Sequence, residues 1–172
     1  MRTSEALPAA CDSGAYLVFP KASDVSARPM LSASWFAFVL RWALQRAHRY
    51  THFVGLVTIR ASRDHVGLTI DGGVQMTTEV ADRIGPLIRD TDLIGELDDG
   101  RLGVLLADAD EAAAASVVHR LGETLARIRF AESLVFAIGA ASCPANGVDM
   151  PSLVAHATDH RELIVCAKNP AA

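Results

Sequence analysis

Apolar positions along the chain fall into alternating helix-spaced and strand-like runs. Trp35, Phe38, Val39 and Trp42 recur at three- and four-residue steps, with Arg46 next on the stripe and Arg41, Gln45, His48 and Arg49 on the other side. That spacing predicts an amphipathic helix from Trp35 to Tyr50, capped by Ser32 or Ser34. Phe53 to Ile59 is apolar and β-rich, a central strand by composition. Arg60 to His65 reads as a polar loop and Val66 to Ile70 as a short second strand. Asp71-Gly72-Gly73 makes a turn or helix start. Val74, Thr77, Val80, Ala81, Ile84 and Ile88 share one face of a helix expected from Val74 to Arg89, whose last turn Pro86 disturbs. Next come Leu93, Ile94 and Leu97, the turn residues Asp98-Asp99-Gly100, and the unbroken run Leu102 to Leu106, as in a strand buried on both faces. Asp108 to Asp110 caps an Ala-rich helix, Glu111 to Ile128. Ser133 to Ser142 is a further apolar strand, closed by Pro144 and Asn146-Gly147. Leu153, Val154, Ala157 and Ile164 place a final helix from Pro151 to Ala167.

The order is helix, strand, short strand, helix, hairpin, helix, strand, helix. It predicts an α/β fold, a central mixed sheet flanked by helices. With 172 residues, 51% of them hydrophobic, the chain is long enough for one domain with a sizeable core. Residues 1–31 carry Pro8, Gly14, Pro20 and Pro29 and a single apolar cluster, Tyr16 to Phe19. They read as a leader with one short strand, leaving residues 32–172 as the domain.

Charge and cysteines narrow the function. A net charge of -4 argues against a general DNA or RNA binder. The apolar patch Trp35 to Leu40 is too short for a membrane span and ends at Arg41. Cys11, Cys143 and Cys166 are scattered, show no metal-ligand spacing, and suit a reducing cytoplasm. The Trp35–Phe38–Trp42 stripe reads as core or dimer interface ahead of a base-stacking platform.

The hairpin, set between two helical patterns, concentrates the polar residues Arg89, Asp92, Asp98, Asp99 and Arg101. Arg89-Asp90-Thr91-Asp92 is an RxxD motif, followed by the five residues Leu93 to Leu97 and then by Asp98-Asp99-Gly100-Arg101-Leu102. This arrangement resembles the centre of a GGDEF domain, the diguanylate cyclase fold, in which RxxD precedes the GGDEF hairpin at that spacing. The spacing is kept and the signature is degenerate, with Leu102 in place of its Phe. The FAIGAASCPANG segment resembles the family's later strand and turn. Ala167-Lys168 resembles the end of its last helix.

Active members of that family join two GTP molecules into cyclic di-GMP, with carboxylates holding Mg²⁺ against the phosphates. The family's first carboxylate ends the first strand. Here that strand ends Val57-Thr58-Ile59-Arg60, with no acid before Asp64. The acidic pair of the signature falls on Gly100 and Arg101, and its two glycines fall on Asp98 and Asp99. The two acids can hold a metal or simply form a solvated turn. The family's guanine-recognising Asn and Asp have no match in Ser62 to Ile70. The resemblance therefore implies a non-catalytic domain with no catalytic residues, no resident metal and no cofactor.

It also implies a ligand. Family members bind cyclic di-GMP at a second place, the I-site, built on RxxD. Arginine presents a fork of donors that matches the O6 and N7 edge of guanine, and aspartate accepts from its N1 and N2 hydrogens. By this resemblance the site is Arg89 and Asp92, with Arg120 from the following helix and Arg46 from the helix before the first strand, across a homodimer. The alternative is that RxxD persists as a helix-end salt bridge. The domain is then a ligand-free module for dimerisation or for docking a downstream protein.

Overall fold

The longest strand, Val54–His65 (β1), decides the architecture, because it lies mid-sheet and is covered on both sides. In this computed structural model the described residues are 29–65, 68–71 and 73–167. The cluster Tyr16 to Phe19 and Lys168 lie outside them. Even-numbered Val54 and Leu56 join one hydrophobic cluster, and odd-numbered Val57 and Ile59 join the other. Successive strand side chains point to opposite faces, so covering both faces requires a continuous apolar run. The expected end at Ile59 is corrected: β1 continues through Arg60 to His65, pairing with Leu68–Asp71 (β2) and with Leu134–Cys143 (β5).

The remaining elements are Ala33–Tyr50 (α1), Gly73–Ile84 (α2), Leu93–Glu96 (β3), Leu102–Ala107 (β4), Glu111–Arg127 (α3), Met150–Asp159 (α4) and Arg161–Ala167 (β6). The sheet runs β3-β4-β1-β5-β6, with β2 paired to β1. The ladders between these strands are antiparallel, and a parallel bridge, Leu31 with Gly95, adds the end of the expected leader to the β3 edge. The α/β fold with helices on both faces stands as expected.

Two elements differ from the sequence reading. The second helix stops at Ile84, and a 3-10 turn, Gly85–Leu87, carries Pro86 at its start, where a missing N–H costs nothing. The final helix stops at Asp159, and Arg161–Ala167 is a strand beside β5. Its Leu163-Ile164-Val165 run is better suited to a pleat than to a helix.

One layer of helices is α2 with α3. Val80, Ala81 and Ile84 pack with Ala114, Val118, Leu121 and Leu125 over Leu102, Val104, Phe136 and Ile138. The other layer is α1 with α4, on Leu56, Leu105 and Ala141. Gly95 and Gly103 are register partners, and a Cβ on either would lie 2.4 or 2.5 Å from Phe36. The bare backbone is thus the seat of the Phe36 ring, whose full burial stabilises the α1 contact by roughly 2 kcal/mol.

The buried face of α1 is Phe36, Ala37, Leu40, Leu44 and Ala47. Of the stripe expected to be core or dimer interface, the core half is corrected: Trp35 is 47%, Phe38 60% and Trp42 53% exposed. Ser32 is the N-cap of α1, but its hydroxyl meets Ser34 Oγ at 3.3 Å instead of capping a backbone N–H. Asp110 caps α3 as expected, its side chain accepting from Ala113 N at 2.8 Å.

Candidate functional site

Two neighbourhoods hold the chemistry-bearing residues. The first is the hairpin Leu97–Arg101 between β3 and β4. Gly100 N donates to Leu97 O at 2.9 Å, and Gly100 takes φ +77°, a conformation that glycine adopts without strain. Thr77 Oγ1 of α2 lies 3.2 Å from Gly100 O and steadies the turn. The Arg101 guanidinium folds back onto Asp99, its Nε donating to Oδ2 at 2.6 Å, and also donates to Thr158 Oγ1 of α4. The Arg101 side chain is only 10% exposed. Burial alone pushes the Asp99 carboxyl up. Hydrogen bonds from the Arg101 side chain and backbone, and the charges of Arg101 and Arg60, outweigh it and hold Asp99 below its ordinary value. Arg60, Gly100 and Arg101, which the resemblance sets at the family's metal positions, carry no carboxylate, and of the adjoining Asp98 and Asp99 the second is engaged by a guanidinium. They do not fit a divalent cation. Among the described residues no group of three His, Cys, Asp or Glu side chains is arranged to hold one.

The second neighbourhood is the RxxD turn at the edge of the sheet. Asp92 is 3% exposed, and both its oxygens face inward. Oδ2 accepts from Arg89 N at 3.1 Å, and Oδ1 accepts from Ala107 N at 3.2 Å. Its carboxylate therefore ties the Arg89–Asp92 turn to the end of β4. Arg89 is exposed on that turn. Arg46 is exposed on α1, its Cζ 5.6 Å from the Trp42 ring centroid. Arg46 and Thr91 line one groove of about 260 Å³, with Trp42, His52, Leu105 and Asp108. Arg120 is exposed on α3, which shares the opposite layer with α2. The structure thus brings Arg46 beside the RxxD turn and puts Arg120 on the other helical layer. The inward role of Asp92 carries no sequence signal, because the same spacing serves a ligand site and a helix-end anchor.

Solved structures match this fold. The GGDEF domain of YfiN (also called TpbB) from Pseudomonas aeruginosa aligns at TM-score 0.62 and 22% identity, covering 76% of this chain and 86% of that one. A diguanylate cyclase protein from Thermotoga maritima aligns at TM-score 0.63 and 12% identity, over 77% of this chain and 96% of that one. The fold is that of a GGDEF domain. The diguanylate cyclase SiaD from Pseudomonas aeruginosa, solved in complex with its activator SiaC, also matches, at TM-score 0.56 and 14% identity over 77% of this chain and 56% of that one. At these identities the likeness establishes the GGDEF fold and not the activity. No protein-family model and no curated protein matches the chain. Among the described residues no helix is long and apolar enough to cross a membrane.

Proposed function

We propose that the chain is a non-catalytic receptor for cyclic di-GMP, taking the dinucleotide at the RxxD turn through Arg89, with Arg46 and Arg120 as further cationic contacts, and acting as a homodimer. The observation that carries the non-catalytic half is the folded-back Arg101. By the resemblance Arg101 stands where the family's signature carries a carboxylate, and its guanidinium is held by Asp99 and Thr158. The receptor half rests on the GGDEF fold, on the kept RxxD spacing and on the exposure of Arg89. In this reading Asp92 sets the turn that presents Arg89. The guanine edge is read chiefly by the arginine fork, since two acceptor sites of Asp92 already serve backbone N–H groups.

A second reading has its own observation. Trp35, Phe38 and Trp42 stand exposed on α1, which suits a module that docks a partner protein without any ligand. Incubation with GTP and Mg²⁺, followed by chromatography, tests the catalytic claim. No cyclic dinucleotide is expected, and turnover that depends on Asp98 or Asp99 would refute it. A dimer is expected in sedimentation, at least with ligand. A strict monomer with and without cyclic di-GMP favours the docking reading.

A further inference from the structure

Helix α1 turns aromatic rings to solvent where a water-facing helix carries charge. At 3.6 residues per turn, Trp35, Phe38, Trp42 and Arg49 fall on the pole opposite buried Leu40 and Leu44. The three rings on that pole are about half exposed, and exposed Tyr50 and Phe53 follow them at the end of the helix and just past it. Among the described residues these are five of the six large apolar side chains left exposed, so the apolar surface is gathered on one side of the molecule. The same side is basic. Arg49 shares the pole, its guanidinium carbon 5.6 Å from the Tyr50 ring centroid, and exposed Arg41 flanks it. Helix α1 contains no acidic residue, although the whole chain has a net charge of -4.

We propose that this side of α1 lies on an anionic membrane surface, the helix parallel to the plane, with Trp35, Phe38 and Trp42 at the boundary between headgroups and acyl chains and Arg41 and Arg49 on lipid phosphates. Tryptophan and tyrosine favour that boundary, because an apolar ring and a polar tip are both satisfied there. The arginine fork matches a phosphate, and each cation held near an anionic leaflet adds an attraction that salt screens. The shape agrees, since the outward pole of one helix sets its rings in a row that a planar surface meets along its length. Phe36, Leu40 and Leu44 stay on the sheet, so docking requires no rearrangement of the core. A protein partner accounts for the exposed rings, but only an acidic one gives the arginines a role. A second copy docked by the same face sets one acid-free group of arginines against another. The contact uses neither Arg89 nor Asp92, so it stands apart from the RxxD site.

Both tryptophans of the chain, Trp35 and Trp42, stand on this side, so intrinsic emission reports on this face alone. Phosphatidylcholine vesicles with about one third phosphatidylglycerol should shift that emission to the blue and carry the protein upward in flotation. Pure phosphatidylcholine vesicles should bind about tenfold more weakly, and high salt should bring the anionic vesicles toward that level. Phe38→Ser keeps both reporters and should weaken binding by about tenfold. Arg41→Ala and Arg49→Ala should each weaken it by about fivefold. Arg89→Ala should bind vesicles as wild type does, and thermal melts of these exposed-site variants should stay near wild type. No blue shift with anionic vesicles, equal binding to neutral ones, or binding indifferent to both Phe38→Ser and Arg49→Ala overturns the membrane contact. A blue shift that grows with protein concentration in lipid-free buffer also overturns it and assigns the face to a second copy. Binding of polyglutamate with no binding of vesicles overturns it in favour of an acidic protein partner.

Discussion

The hairpin and the RxxD turn lie at opposite ends of β3, and they use their charges in opposite ways. In the hairpin the base turns inward: Arg101 is pinned by Asp99 and Thr158 and its side chain is 10% exposed. In the RxxD turn the acid turns inward: Asp92 is 3% exposed and Arg89 faces solvent. A cation that satisfies itself inside the fold has little left to offer a ligand. In the RxxD turn the buried Asp92 carboxylate, held by two backbone N–H groups, fixes the segment on which exposed Arg89 stands. On this contrast the hairpin is a structural clasp, and the proposed recognition falls to the RxxD turn.

The largest expected effect falls on Asp92, where an exposed helix-end charge would have contributed little to stability. Asp92→Ala strips the acceptor from two backbone N–H groups and should cost about 2–4 kcal/mol in urea unfolding. Asp92→Asn keeps one acceptor and should cost roughly half as much. A variant that melts like wild type and loses only ligand binding breaks the contrast, because Asp92 is then a ligand group and not an anchor.

Gly103→Ala is next. Its Cβ would meet the Phe36 ring at 2.5 Å, so α1 must shift, at a cost of about 1–3 kcal/mol in the same unfolding measurement. An unchanged unfolding midpoint would mean that the ring is not seated on the bare backbone.

The smallest stability effect belongs to Arg101→Ala. Asp99 is 42% exposed, so solvent screens the pair and the loss should be at most about 1 kcal/mol at neutral pH. Its pH dependence carries more information than its size. The Asp99 value is lowered in the folded chain, so the stabilisation is present in full above the ordinary Asp value and is lost as pH falls through the lowered one. The stability gap between wild type and Arg101→Ala should therefore shrink in acid. A gap that widens there contradicts the clasp.

Much of this arrangement can be read in the sequence, and the failures have physical causes. The helices α1 and α3 and the hairpin follow from periodicity, the Asp110 cap and the Asp98-Asp99-Gly100 turn. The extension of β1 past Ile59 is hidden because Arg60 and Arg63 are polar, and pairing with β2 and β5 overrides composition there. Arg161–Ala167 was legible in principle, since Ile164 and Val165 are β-branched, but apolar Leu153, Val154 and Ala157 sustain helical spacing up to it. The α1 stripe is not core because two apolar stripes share that helix. Phe36, Leu40, Leu44 and Ala47 take the core and leave Trp35, Phe38 and Trp42 outside. Arg89 and Arg46 are singled out by the resemblance to the GGDEF family and by no local pattern of their own. The inward turn of Asp92 depends on the Ala107 N–H, fifteen residues away, and no local pattern announces it.

The central claim is that Arg89 is the recognition group of a receptor without catalytic chemistry. Calorimetric titration of wild type, Arg89→Ala and Arg89→Lys with cyclic di-GMP tests it most directly. Wild type should bind, and Arg89→Ala should weaken binding by about tenfold to a hundredfold, the worth of one two-pronged contact. Arg89→Lys should recover little, because an ammonium cannot present the fork. Thermal melts of both variants should stay near wild type. Equal affinity in wild type and Arg89→Ala, or no binding by wild type at high micromolar ligand, would contradict the account.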